Sequence, residues 1–476
     1  MKKESNPLRP LASRLGLAFT LAPFLAGPAL AATFTVSNLS DSGPGSLRQA
    51  VLDANASPGA DDVVFTPGLT GTIMLTSGEI LIADSLTVHG PGAGVITVSG
   101  NDQSRIFHVE NPADFSLDVT LSGLTLTHGS AVIPLFGGAV FALNQNLTIL
   151  DSVISSSKAG YDLAGIGCGG NVFTQAGMLR IANSTLTGGA SVGSGGNLCV
   201  AGGRLILERS TLSGGFALSG GGLYANNTVD SMIFASTISG NVAGLPASDF
   251  GFGGGLQIDG GHMQIVNSTI SGNSVNGDGG GLVLFQSLGG SLLLRLTTVS
   301  SNTATGRGGS LLIGTSDEVE LDHSIVANGA PQDLAPSDPN GPPVTITANY
   351  SLIENPGDVA LTGSHNLIGA DPLLGPLASN GGPTLTHLPL PGSPVIDAGD
   401  PAIPSPPATD QRGFSRIAGA AVDLGSVETG QAPIDVPALS TLGLALLALL
   451  LGAAGLRIQA RRRTARELSR QPMRRA

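Results

Sequence analysis

At 476 residues the chain is long enough for a large core, but 70 glycines, 30 prolines, no tryptophan and 12% charged residues exclude an ordinary packed α/β enzyme. They point instead to a repetitive, turn-rich β architecture. The formal charge of −12 hides an asymmetry: with residues 1–32 and 436–476 set aside, 10 Lys and Arg face 32 Asp and Glu, a net of −22, which excludes nucleic acid and anionic lipid as partners.

In chain order, Lys2, Lys3, Arg9 and Arg14 precede an apolar run over 15–25 and then Ala29, Leu30, Ala31 and Ala32. This order predicts a signal peptide over 1–32, cut by signal peptidase after Ala31 or Ala32; the apolar run is too short for a permanent span. Residues 33–120 read as an N-terminal cap and the first coils of a solenoid. Within them, SLRQAVLDANA at 46–56 predicts a short amphipathic helix, with Ser46 and Gln49 as a capping box and Leu47, Ala50, Val51 and Ala54 on one face. Such a helix would cover the otherwise open edge of the first coil. Strands are expected at 62–65, 71–75, 86–89 and 95–98.

Residues 121–330 repeat one phrase. GLTLTHG, DSVISSS, NSTLTGG, RSTLSGG, ASTISGN, NSTISGN, LTTVSSN and DHSIVAN align an aliphatic residue at Leu126, Ile154, Leu186, Leu212, Ile238, Ile270, Val299 and Ile325. The steps of 28, 32, 26, 26, 32, 29 and 26 residues, a mean of about 28, mark a solenoid. β-Branched or hydroxyl residues precede each aliphatic slot, which is strand alternation. Glycine groups ending at Gly138, Gly170, Gly196, Gly222, Gly255, Gly281 and Gly309 lie 15 to 18 residues before the next slot and fix one corner of each coil. The fold expected is all-β, a right-handed parallel β-helix with a short N-terminal capping helix, with coils stacked about 4.8 Å apart. Three residues after the slot, Asn241, Asn273, Asn302 and Asn328 would form a structural amide ladder. Cys168 and Cys199 lie five residues apart in the repeat register, about 16 Å along a straight strand, and are expected to be two buried thiols unless a corner shortens the path.

Residues 331–430 read as terminal coils followed by a distinct segment dense in charge. There Asp397, Asp400, Asp410, Arg412, Asp423 and Glu428 are expected to form a salt bridge that pins the segment, with calcium as the alternative occupant. Residues 436–456 carry no charge and are followed by eight arginines, which predicts a transmembrane helix with its Arg-rich tail in the cytoplasm.

Three stretches resemble known bacterial families. TFTVSNLSDSGPGSLRQAVLDANASPGADDVVF, residues 33–65, resembles the N-terminal cap of surface proteins related to polymorphic outer membrane proteins and to the CSLREA-type domain, without the Cys of that motif. The coils are similar to the right-handed parallel β-helix repeat family. NGGPTLTHLPLPGSPVIDAGD, TDQRGFSR and VDLGSVE, within 380–428, closely resemble the choice-of-anchor Q domain, which precedes a surface-sorting signal. The signal itself, with Val436, Pro437, Ala438, Leu439, Ser440 and Gly443, resembles the IPTL-CTERM type, although Val436, Ala438 and Leu442 replace the family's Ile, Thr and Trp. That resemblance implies processing by an exosortase-like membrane protease in a Gram-negative-type envelope.

Chemistry is harder to find. Asp151, Asp230, Asp259, Asp278 and Asp322 occupy different slots of the repeat, the seven histidines lack metal spacing, and NGDGGG around Asp278 occurs once. No cofactor is expected apart from the calcium alternative. The expectation is therefore a non-enzymatic protein of the cell surface, outer membrane or extracellular matrix, contacting glycan, matrix or protein partners. The alternative is a polysaccharide lyase or glycoside hydrolase on the same scaffold.

Overall fold

The structure, a computed structural model, describes residues 31–131, 135–160, 167–244, 250–315 and 318–430. The signal-peptide core with Ala29, the sorting motif from Val436 to Gly443 and the apolar stretch after it lie outside the described residues. Among the described residues no helix is long and apolar enough to cross a membrane.

The chain winds into a parallel β-solenoid of about eleven turns. Each turn supplies up to four strand segments. Two rows merge into one 20-stranded sheet through the long strands Leu223–Phe234, Leu256–Val266 and Leu282–Arg295. A third row of 12 strands runs from Gly71–Met74 to Leu367–Ile368, and a fourth of seven two-residue strands runs from Ser130–Ala131 to Thr303–Ala304. The repeated phrase is the third row: Leu126, Ile154, Leu186, Leu212, Ile238, Ile270 and Val299 pair coil to coil in register and are fully buried. Each contributes roughly 2 kcal/mol of apolar burial.

Register fails by one residue in the last phrase. Val299 pairs with Val326, not with Ile325, which instead opposes Thr298 on the outward column. Two adjacent aliphatics in Ser-Ile-Val-Ala made both alignments possible. The serine row decides between them, because Thr297 N donates to Ser324 Oγ (3.1 Å) as Ser152, Ser184, Ser210 and Ser236 donate to the next serine of the corner.

The cap helix spans Leu47–Asn55 and buries Leu47, Ala50, Val51 and Ala54, the expected face. Half of the capping box forms: Gln49 N donates to Ser46 Oγ (3.2 Å), but the Gln49 side chain turns to Asp53 (2.8 Å) and Ser46 N donates to Gly43 O. Strands form at Asp61–Phe65, Gly71–Met74, Leu86–His89 and Ile96–Ser99, within a residue of expectation. Thr33–Val36 and Ile80–Ile82 are additional.

The amide ladder exists with different members. Asn171, Asn197, Asn241, Asn273 and Asn302 stack in successive coils, each Nδ2 donating to the next Oδ1 at 2.9, 3.2, 2.9 and 2.9 Å. The same oxygens accept the backbone N–H of Ser157, Gly189, Gly215, Asn241 and Asn273, so the ladder satisfies donors buried at the corner. In the first two rungs the amide follows the glycine marker; from Asn241 onward it follows the aliphatic slot, and glycine takes the vacated place. A Cβ on Gly215 would lie 2.6 Å from Asn197 Nδ2, and one on Gly222 would lie 2.9 Å from Asn241 Nδ2, so each coil has room for one amide. Asn328 is not a rung. The one-residue shift puts Gly329 in that slot, where its N–H donates to Asp333 (2.8 Å), while Asn328 is exposed, with its side-chain amide on Ser300 Oγ (3.2 Å) and its N–H on Glu354 (2.7 Å).

Cys168 and Cys199 form a disulfide with Cα atoms 5.6 Å apart, which corrects the expectation of two thiols. The corner is the reason. Cys168 aligns with Ser194 before the bend and Cys199 with Phe173 after it, and Gly169, at φ +72°, turns the chain between the two positions.

Candidate functional site

Beyond Gly369 the chain leaves the coils and folds back along the outside of the third row. Its residues 371–430 contain the acidic and Arg positions singled out in the sequence. Arg412 pairs with Asp410 (2.8 Å), donates to Glu428 O (2.6 Å) and lies over the Phe414 ring (4.3 Å). The carboxylates are filled mainly by backbone donors: Asp423 accepts from Asp397 N and Thr429 N, Glu428 from Ala418 N and Asp423 N, and Asp410 from Phe414 N and Glu428 N. Asp397 joins the edge of this knot through Ala421 N, whereas Asp400 lies apart, with its N–H on His323 Nε2 (3.0 Å). Among the described residues no group of three or more His, Cys, Asp or Glu is arranged to hold a metal.

Sequence reasoning missed Arg416, which is buried at the centre of this knot. Burial lowers its pKa to about 10 against the pull of Glu428, Asp410 and Asp423, and burial pushes Glu428 up to about 7. Nothing in residue spacing distinguishes Arg416 from an exposed arginine. The knot gives the segment a fixed shape.

That shape fits the solenoid. Thr237 Oγ1 donates to Leu385 O (2.6 Å), Thr269 Oγ1 to Gln411 Oε1 (2.6 Å), and Ser426 N to Thr298 Oγ1 (3.0 Å). Ser271 Oγ meets His387 Nε2 (2.7 Å), whose Nδ1 meets Gly375 O (2.7 Å). Burial lowers the His387 pKa, so the ring is neutral, donates from Nδ1 and accepts from Ser271. A serine–histidine pair of this shape could suggest a nucleophile, but Ser271 ends the short strand Thr269–Ser271 with ladder neighbours on both sides, Ser239 and Ser300, and Gly272 N donates to Ser300 O. The parallel ladder uses the local N–H groups that an oxyanion would need. The pair acts as a fastening.

The same face is open before the segment begins. Two outward columns, Thr97, Thr125, Val153, Thr185 and Thr211 beside Ser99, Thr127, Ser155, Thr187 and Ser213, form a flat array without a charge. Rungs are about 4.8 Å apart and columns about 6.6 Å apart. Ser155 donates to Thr127 (3.0 Å) and Ser213 to Thr187 (3.1 Å). The second column continues as Ser239, Ser271 and Ser300, the floor of a cleft of about 540 Å³ walled by Leu374, Leu377 and His387.

Several other charged groups are held in pairs. Glu79 holds Arg105 and His108 (2.8 Å), and His108 also holds Glu110 (2.9 Å). Burial acts to raise the Glu79 pKa, but the His108 hydrogen bond and the Arg105 charge outweigh it and hold the carboxyl below its usual range, which suits a fixed ion pair rather than a proton donor. Tyr224 donates to Asp259 (2.7 Å) and is pushed up to about 12 by burial and that carboxylate. Asp278, of the single NGDGGG, is engaged by Arg307 (2.9 Å). His323, Tyr350 and His365 stack at 5.0 and 4.5 Å.

No protein-family model matches the chain, and no curated protein matches it in sequence. Among solved structures, it is similar in backbone course to pectate lyase Pel9A (15% identity, TM-score 0.38, covering 85% of this chain and 98% of that one). It is also similar to a mannuronic acid specific polysaccharide family 6 lyase from human gut microbiota (12%, TM-score 0.36, 70% and 83%). A third similarity is to the PL6 family alginate lyase AlyGC (11%, TM-score 0.32, 75% and 55%).

Proposed function

We propose that the chain is an exported cell-surface or matrix-associated protein with a structural and adhesive role, and that its solenoid holds a neutral glycan along the hydroxyl-lined face. The observation that carries this reading is the uncharged array from Thr97 to Ser213, whose second column runs on into the cleft beside Leu374 and Leu377. Hydroxyls both donate and accept, so they suit a polymer that is itself rich in hydroxyls. A flat row of equal spacing suits a repeating ligand, and the net charge of −22 outside the two ends disfavours polyanions. In this reading residues 1–32 direct export by way of signal peptidase. Residues 436–476 hold the chain in the membrane until an exosortase-like protease acts on the motif at Val436.

The alternative is a polysaccharide lyase or glycoside hydrolase, and one experiment separates the two. The mature protein is incubated with insoluble neutral polysaccharides and with uronate polymers, reading binding by depletion and turnover by chain shortening. Binding to a neutral polymer without turnover is expected, and the double variant Thr127→Lys/Thr187→Lys should weaken it about tenfold. Unchanged binding by that variant removes the face from the proposal. Turnover abolished by a single carboxylate substitution replaces the proposal with the enzyme.

A further inference from the structure

Asp61 begins the strand Asp61–Phe65 and points inward with Val63 and Phe65, 2% exposed, at the capped end of the solenoid. A carboxylate in that place needs compensation, since a buried charge without a partner is costly. Its Oδ1 accepts the Ala32 N–H at 2.7 Å, whereas Oδ2 is buried and has no hydrogen-bond partner. Among the described residues no Lys, Arg or His pairs with it, and the neighbouring Asp62 takes His89 (2.8 Å). Among the described residues the one donor at the Asp61 carboxylate is thus the backbone nitrogen of Ala32, at the junction the sequence marks for cleavage. Ala29-Leu30-Ala31 places small residues one and three positions before the Ala31–Ala32 bond; a cut after Ala32 would place Leu30 at the third.

We propose that the Ala31–Ala32 bond is the processing site and that the α-ammonium it releases on Ala32 forms a buried ion pair with Asp61. Signal peptidase adds water across the bond: the carboxylate leaves on Ala31, and Ala32 N changes from a neutral amide with one hydrogen to a cation with three. The new donors and the charge answer both the unpartnered Oδ2 and the lone negative charge. Processing thereby fastens the first strand, Thr33–Val36, onto Asp61–Phe65, and the cap becomes firmer in the mature protein than in the precursor. A cut after Ala32 would instead remove the donor that Asp61 has.

This proposal rests on the export reading, and the experiment separates the two. Mass spectrometry of the exported protein should give a mature chain beginning at Ala32. Retention of the whole leader inside the cell overturns both readings, and an exported chain with any other N-terminus overturns the pairing alone. Thermal unfolding then compares the mature chain with one that keeps Ala31, each with and without the Asp61→Asn substitution. Keeping Ala31 should lower Tm by about 3 °C in the wild-type background and by under about 1 °C in the Asp61→Asn background, which has no carboxylate to pair. Equal shifts in both backgrounds overturn the ion pair. Should D61N fail to fold, acetylating the mature N-terminus keeps one N–H and removes the charge, and an unchanged Tm then overturns the pairing.

Discussion

At the scale of single residues, what a side chain does depends on which slot of the coil it fills, and identity alone misleads. Asn273 gives its amide to Ile238 O and Asn302, and its oxygen takes two donors from Asn241. Asn273→Ala therefore strands a buried N–H and should cost about 2–3 kcal/mol in denaturant unfolding. Asn328→Ala, at a position that looks equivalent in sequence, should cost roughly 1 kcal/mol or less, because Asn328 is exposed, its side chain donates to Ser300 Oγ at 3.2 Å, and its backbone bond to Glu354 survives the substitution. The sequence displayed the later rungs because they follow the aliphatic slot; Asn171 and Asn197 escaped because they sit in the complementary slot, and contact across a corner leaves no spacing rule. His387 and Glu428 carry opposing pH dependences at this scale. The folded pKa of His387 is depressed by burial, so between that value and about 6.5 the unfolded chain binds more protons at this site and its contribution falls with falling pH. Burial pushes Glu428 up to about 7, so its contribution rises as pH falls below that value. In limited proteolysis, His387→Gln should be cut within 371–430 faster than the wild type at pH 7, and the ratio of the two rates should fall toward one as the pH drops to 5, because only the wild type loses the histidine contribution.

At the scale of elements, the third row was legible as a strand because its period-2 alternation is local, and so was the cap helix, whose buried face follows the 3.6-residue period. The lateral docking of residues 371–430 was not. It joins residues more than 100 positions apart through hydroxyls that look the same in covered and open coils: Thr211 is half-exposed, whereas Thr237 one step later is fully buried. Gln411 is the hub, its Nε2 within reach of Ser236 O (3.2 Å), Thr237 Oγ1 (2.9 Å) and Thr384 Oγ1 (2.9 Å), while its Oε1 takes Thr269. Gln411→Ala leaves Thr269 and the Ser236 carbonyl without this partner and should cost about 2 kcal/mol. The loss belongs to the docked segment, so protease should cut within 371–430 before the coils unfold. Simultaneous loss of coils and segment would mean that they form one cooperative unit.

At the scale of the whole molecule, the period announced a solenoid, and a solenoid's stability is close to a sum of coils and of contacts between neighbours. Its coils should therefore be removable one at a time, provided each corner keeps a single amide. Two deletions of 26 residues test this, both in a Cys168→Ser/Cys199→Ser background so that the disulfide is absent from each. Removing 185–210 joins Ser184 to Thr211, keeps the serine row and leaves Asn171 facing Gly215 as it now faces Gly189. Removing 211–236 joins Ser210 to Thr237 with the same serine continuity, but it sets Asn197 against Asn241 in one coil, where a Cβ on Gly215 already lies 2.6 Å from Asn197 Nδ2. Both deletions conserve length and strand register, and only the second overpacks the corner. The first should fold to a rod shortened by about 4.8 Å in small-angle scattering. The second should be less stable than the first by about 2 kcal/mol. Equal stability would show that the corner tolerates two amides and that the exchange of asparagine and glycine between the two slots is incidental to the fold.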